Sequence, residues 1–214
     1  MPEETEQPVN RLERRKQRTR AALIKAAQVL IAEGRLNVPV LEITQAADVG
    51  MGSFYNHFES KEQLFEAAVT DVLDLHGAVL DHLTADLEDP AAVFACSFRL
   101  TGRFFRERPQ ESRILLANWA ALMTSDTGLA PRALRDIKAA VAAGRFNVDD
   151  PELALTVAAG ALMGLGHLLQ SQPQRDAGTT TDAVTESVLQ LFGMSAEDAR
   201  EVCALPLPDL DYQA

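Results

Sequence analysis

The chain has 214 residues, 47% hydrophobic and 24% charged, with a formal net charge of -11 at pH 7. That length supports a real hydrophobic core in one or two domains, and the acidic balance excludes indiscriminate binding to nucleic acid. Abundant Ala and Leu, with only 12 Gly and 10 Pro, favour helix throughout.

Residues 1–10 are acidic and polar and read as a disordered leader; they hold no apolar stretch of the kind a signal peptide needs. Cys96 and Cys203 are too few and too far apart for a disulfide framework. Both features lead us to expect a cytoplasmic protein.

The first predicted helix runs from Leu12 to Glu33, with Leu23, Ala27, Leu30 and Ile31 forming one apolar stripe and Gly34 ending it. Its first half is basic: residues 11–20 hold Arg11, Arg14, Arg15, Lys16, Arg18 and Arg20 against Glu13 alone, a local net of +5. Residues 11–65 hold nine basic and six acidic groups, net +3, leaving eleven basic and twenty-five acidic groups, net -14, elsewhere. Such asymmetry fits a small DNA-facing module on a larger acidic body.

A second helix is predicted over Val40 to Ala47, entered through Asn37 with Pro39 in its first turn, and Asp48-Val49-Gly50 then forms a tight turn. Met51 to His57 form the third. Two short helices joined in this way make a helix-turn-helix, whose second member enters the major groove. Phe54 and Phe58 are read as core of this module. Ser60-Lys61-Glu62-Gln63 fits a capping box opening a fourth helix that continues to about Leu87.

Further helices are expected at Ala91–Arg108, Glu111–Met123, Pro131–Ala143, Pro151–Gln170, Thr181–Phe192 and Ala196–Ala204, and neither a strand-like run nor an internal repeat stands out. The apolar stretch Leu153 to Leu169 is near the short limit for a membrane span and contains Thr156 and His167, so helix packing explains it better and no membrane partner is expected. The fold class is all-α: an N-terminal three-helix DNA-binding domain with a helix-turn-helix (11–65), a larger C-terminal helical domain (66–205), and a tail (206–214).

Ser53-Phe54-Tyr55-Asn56-His57-Phe58 followed by Ser60-Lys61-Glu62-Gln63-Leu64-Phe65 resembles the DNA-binding signature of the TetR/AcrR family of bacterial transcriptional regulators. Ala26-Ala27, Leu30, Gly34, Ile43, Ala46-Ala47 and Val49 agree with it, and the resemblance covers roughly residues 15 to 70. It implies that Tyr55, His57 and Lys61 contact phosphates, while Met51, Gly52, Ser53 and Asn56 reach base edges. Arg18 and Arg20 are further phosphate candidates. Gly50 replaces the family's frequent Ser cap and Val38-Pro39-Val40 replaces a hydroxyl-rich helix start, for which Thr44 or Gln45 are expected to compensate.

The family pattern places an effector pocket between the fourth helix and residues 91–143, with Phe94, Phe98, Phe105, Trp119, Leu122 and Met123 as apolar walls. It places the dimer interface on the late helices, where Leu155, Ala158, Leu162, Leu169, Val188 and Leu191 are expected at the contact and Gly160, Gly164 and Gly166 allow close approach. Arg99, Arg103, Arg106 and Arg113 are read as helix-surface pairing groups rather than ligand contacts.

The sequence carries no phosphate loop, nucleophile elbow or His-Glu-x-x-His motif, so neither catalysis nor a cofactor or metal is expected. The implied function is a homodimeric transcriptional regulator, a repressor of a palindromic double-stranded operator released by an unknown small-molecule effector. The alternative is a helical homodimeric small-molecule-binding protein without regulatory DNA binding.

Overall fold

The computed structural model describes residues 11–118, 123 and 127–209. Among these, ten helices are bounded and no strand occurs. Contacts divide the chain into two compact units, one up to Asp71 and one from Val72 on.

The first unit holds α1 (Arg11–Ala32), α2 (Val40–Ala46), α3 (Met51–Phe54) and the beginning of α4 (Lys61–Leu83). Leu23, Ala27, Leu30 and Ile31 are buried as the α1 stripe requires, and they share a core with Ile43, Phe54, Phe58, Leu64 and Ala68. Gly34 has φ 72° and closes α1 by letting Arg35 N–H reach the Leu30 carbonyl at 2.8 Å.

Three local expectations are corrected. The N-cap of α2 is Pro39 and not Asn37: extended at ψ 152°, Pro39 turns its carbonyl to accept from Glu42 N–H at 3.0 Å, and no side chain caps the helix. The recognition helix α3 is a single turn, with Tyr55, Asn56 and His57 in the turn beyond it. The Phe54 carbonyl accepts from both His57 and Phe58 N–H, which folds the chain tightly and returns Phe58 to the core. At α4 the Ser60 hydroxyl accepts from Gln63 N–H at 3.2 Å, while the Gln63 side chain reaches back to Glu59 N–H at 2.7 Å. That helix stops at Leu83, short of the expected Leu87, where the Thr84 hydroxyl donates to the Leu80 carbonyl at 2.8 Å.

The second unit holds the rest of α4, then α5 (Pro90–Glu107), α6 (Pro109–Ala117), α7 (Leu129–Ala142), α8 (Pro151–Ser171), α9 (Ala177–Leu191) and α10 (Ala196–Ala204). α5 is its centre because it is buried nearly all round; Ala91, Phe94, Ala95, Phe98, Leu100, Phe104 and Phe105 are buried against α6 to α10. Pro90, Pro109 and Pro151 each sit in a first helical turn, where the missing N–H costs little. Asp89, Asp150, Asp176 and Ser195 cap α5, α8, α9 and α10 through their side chains, and the Asp176 cap is why α9 begins four residues before the expected Thr181. The rings of Phe94, Phe146 and Phe192 close the base of the core with centroids 5.2–5.6 Å apart. Of the helix expected over Glu111–Met123, α6 accounts for the part up to Ala117; residues 119–122 lie outside the described residues.

Candidate functional site

Two surfaces carry chemistry, one in each unit. In the first unit the turn and α3 present Met51, Gly52, Tyr55 and Asn56 exposed, with Ser53 and His57 half-buried, while Phe54 beneath is fully buried. Tyr55 and Met51 are 63% and 47% exposed. Lys61 stands half-buried in the first turn of α4, and Arg18, Arg20 and Gln45 are exposed. Thr44 does not join them: it is buried and its hydroxyl donates to the Leu41 carbonyl at 2.9 Å, so the compensating contact expected of it falls to Gln45 alone. Gly50 precedes α3 with no side-chain cap.

Two positive charges act on His57. The Arg20 guanidinium lies over the Phe58 ring, 5.3 Å from its centroid, and burial together with the charges of Lys16 and Arg20 holds the imidazole below its usual range.

In the second unit α4, α5, α7 and α8 enclose a cavity of about 70 Å³. Its walls are apolar: Leu80, Phe94, Phe98, Met123, Leu129, Leu155, Ala158 and Leu162. Phe94, Phe98 and Met123 are where the sequence places them, whereas Phe105 is not on the wall but packs beside Gly166, and Trp119 and Leu122 lie outside the described residues. One corner is polar. Asp81 of α4 accepts from Arg132 Nε at 2.7 Å and Arg135 Nη2 at 2.8 Å, and Asp136 accepts from Arg135 Nε at 2.9 Å. Burial pushes the Asp136 carboxyl up and Arg135 only partly offsets it; for Asp81 the burial effect is outweighed by its two guanidinium partners, and its carboxyl is lowered. Arg132 also lies flat across Gly77 on α4, where a methyl group would stand 2.8 Å from its Nη1.

Sequence reading missed this quartet. Arg132, Arg135 and Asp136 share one helix face at i, i+3, i+4 spacing, but their pairing to Asp81 spans half a hundred residues and nothing local announces it. Beside the corner, the Thr101 hydroxyl gives its proton to the Ser97 carbonyl at 2.8 Å and therefore accepts from His76 Nε2 at 3.0 Å, which links α5 to α4. Arg99 and Arg103 both pair with Asp182, and Arg106 donates to the Gln172 and Arg175 carbonyls, so these cations hold α5 to α9 and to the α8 C-terminus; Arg99, expected at the surface, is buried.

On the late helices most of the expected contact residues turn inward within the single chain. Leu155, Ala158 and Leu162 line the cavity, and Leu169 and Val188 are core; of the six residues expected at a dimer contact only Leu191, 69% exposed, is open. Gly166 is also internal, since a methyl there would meet Leu116 at 2.7 Å. The outward face of α8 is instead Leu153, Val157, Gly160 and Gly164. Both thiols are buried and raised in pKa by burial, Cys203 to about 11, so they are unreactive.

Comparison with known proteins places both units. Residues 23–68 match the family described as bacterial regulatory proteins, tetR family, and residues 89–204 match the tetracyclin repressor-like C-terminal domain. The structure of RolR without ligand is 35% identical, covers 90% of this chain and 100% of RolR, and superposes with a TM-score of 0.74. RolR in complex with resorcinol is similar at 33% identity, covering 93% and 100%, with a TM-score of 0.64. The transcriptional repressor KstR2 of Mycolicibacterium smegmatis is 37% identical over 84 residues, 37% of this chain and 41% of KstR2. A protein of Escherichia coli K12 named "Probable acrEF/envCD operon repressor" is 26% identical over 191 residues, 82% of this chain and 87% of that one. A helix-turn-helix unit with a polar, cationic face and a second helical unit with its own cavity are thus matched in order along one chain, which belongs to the TetR/AcrR family of bacterial transcriptional regulators.

Proposed function

We propose that this protein is a homodimeric repressor that occupies a palindromic operator and is released from it by a small effector carrying one hydroxylated aromatic ring. The observation that carries the effector half is the pairing of an apolar cavity of about 70 Å³ with one charged corner. Phe94 and Phe98 offer ring faces, the Asp136 carboxylate accepts from a phenolic hydroxyl, and Arg132 donates to its oxygen. RolR, similar over nearly its whole length, is known in complex with resorcinol, a ring of this kind, and this supports the same ligand class here.

For DNA, Tyr55, His57 and Lys61 position the unit on phosphates, and Met51, Gly52, Ser53 and Asn56 read bases, with Arg18, Arg20 and Gln45 at the flanks. One helical turn of recognition helix makes too few base contacts to be specific, so two copies are needed. The outward face of α8 supports that pairing: the helix has a mean hydropathy of 1.5 over its most apolar window, yet only 33% of that window is buried within one chain. A second copy seated on Leu153, Val157, Gly160, Gly164 and Leu191 covers this face, which is the reading preferred to a membrane span, and leaves the protein soluble in the cytoplasm.

The test is retention of DNA from upstream of the protein's own gene in a gel shift. Specific retention that survives scrambled competitor and weakens steeply with salt is expected. Equal affinity for scrambled DNA, or no retention, would reject the regulator and leave a small-molecule-binding protein.

A further inference from the structure

Lys16 belongs to none of the expected contacts, yet its charge acts on His57. Lys16 and Arg20 are one turn apart on α1 and therefore share a face, both exposed. Phe58, 3% exposed, fixes the position of Arg20 through the stacked guanidinium, and the same residue is held by its N–H to the Phe54 carbonyl at 3.0 Å. His57 precedes it in the same turn, so α1 and the recognition turn meet at three cationic or potentially cationic groups.

Lys16 and Arg20 are the charged groups that act on the imidazole. α3 carries no charge, and the single charge of α2, Glu42, is ion-paired with Arg35. Glu59 and Lys61 follow in the segment leading into α4.

We propose that Lys16, Arg20 and His57 form one phosphate clamp, and that a docking phosphate brings a proton onto His57, so DNA binding is linked to pH. In the free protein burial first, and then the charges of Lys16 and Arg20, disfavour a proton on the imidazole. A phosphate oxygen reverses that field, and the protonated ring then donates a charge-assisted hydrogen bond to it. Because the bound state holds more protons than the free state, affinity rises as pH falls through the His57 titration range. His57 is the only one of four histidines in the first unit; His76, His82 and His167 belong to the second. The inference rests on the DNA-binding reading but not on sequence specificity, since any duplex presents phosphates.

The experiment uses the full chain and a mixed-sequence duplex at low salt, with constant ionic strength from about pH 8 to about pH 6. Affinity is expected to rise roughly 3- to 10-fold over that range. His57→Gln should bind more weakly and lose the rise, and Lys16→Gln should reduce affinity at about pH 8 and shallow the salt slope by about one. The His57 imidazole resonance, titrated with and without the duplex, should shift upward in pKa on binding. An unchanged titration, or a pH dependence that persists in His57→Gln, overturns the clamp even when binding is intact. Sequence-independent binding would reject the repressor reading and leave this measurement interpretable.

Discussion

A charged imidazole cannot remain where His76 sits. The ring is 1% exposed, lies 4.3 Å from the Phe104 ring centroid and shares a hydrogen bond with Thr101, and burial pulls its pKa down to about 3. The folded state therefore binds fewer protons than the unfolded chain between the ordinary histidine range and about pH 3. Stability from this group is present above the unfolded pKa and is lost progressively as pH falls below it. We predict that acidification from about pH 7 to about pH 5 lowers the urea midpoint of wild type more than that of His76→Gln. Nothing local in the sequence singles out His76. Its partner Thr101 is 25 positions away, and only packing joins them.

At the scale of elements, legibility followed the strength of amphipathic pattern. α1 has one stripe and one polar face, so Leu23, Ala27, Leu30 and Ile31 were placed from spacing alone, and all are buried. α8 is apolar on several sides, so its sequence has no phase: Leu155, Ala158 and Leu162 are as regular as Leu153, Val157, Gly160 and Gly164, and the neighbouring α5 and α7 decide which set turns inward. Thr44 was misplaced for the related reason that α2 is too short to show a face. The corrected phase yields a prediction. Leu153→Asp with Leu191→Asp should give a folded monomer in light scattering with an unchanged helix signal, whereas a variant that remains dimeric rejects the outward face as the contact.

Close helix approach gives a second prediction at this scale. α5 meets α9 at Gly102, where a methyl group would lie 2.3 Å from Thr181 Cγ2. Gly102→Ala should cost about 1–3 kcal/mol in chemical denaturation, and pairing it with Thr181→Ala should recover part of that loss. A neutral single variant would mean that α9 stands off more than the packing indicates.

Over the whole molecule, one continuous helix carries both chemistries: α4 begins at Lys61, a phosphate candidate, and near its other end bears Asp81, the acceptor for Arg132 and Arg135. The family signature was legible because it is contiguous in sequence. The charged corner of the cavity was not, because its charges come from α4 and α7 and meet only in the fold. A ligand that takes a hydrogen bond from Arg132 competes with Asp81, which lies on α4. The strength of such a switch is limited by the ligand's differential affinity for the two states.

The most direct measurement is operator affinity at fixed salt and pH with and without a dihydroxybenzene, for wild type and for Asp136→Asn. Wild type should lose at least about 10-fold in affinity at saturating ligand, equivalent to about 1.4 kcal/mol of coupling, and Asp136→Asn should lose much less while binding DNA normally. Operator affinity that stays constant for wild type while the ligand is shown to occupy the cavity would contradict a ligand-released repressor.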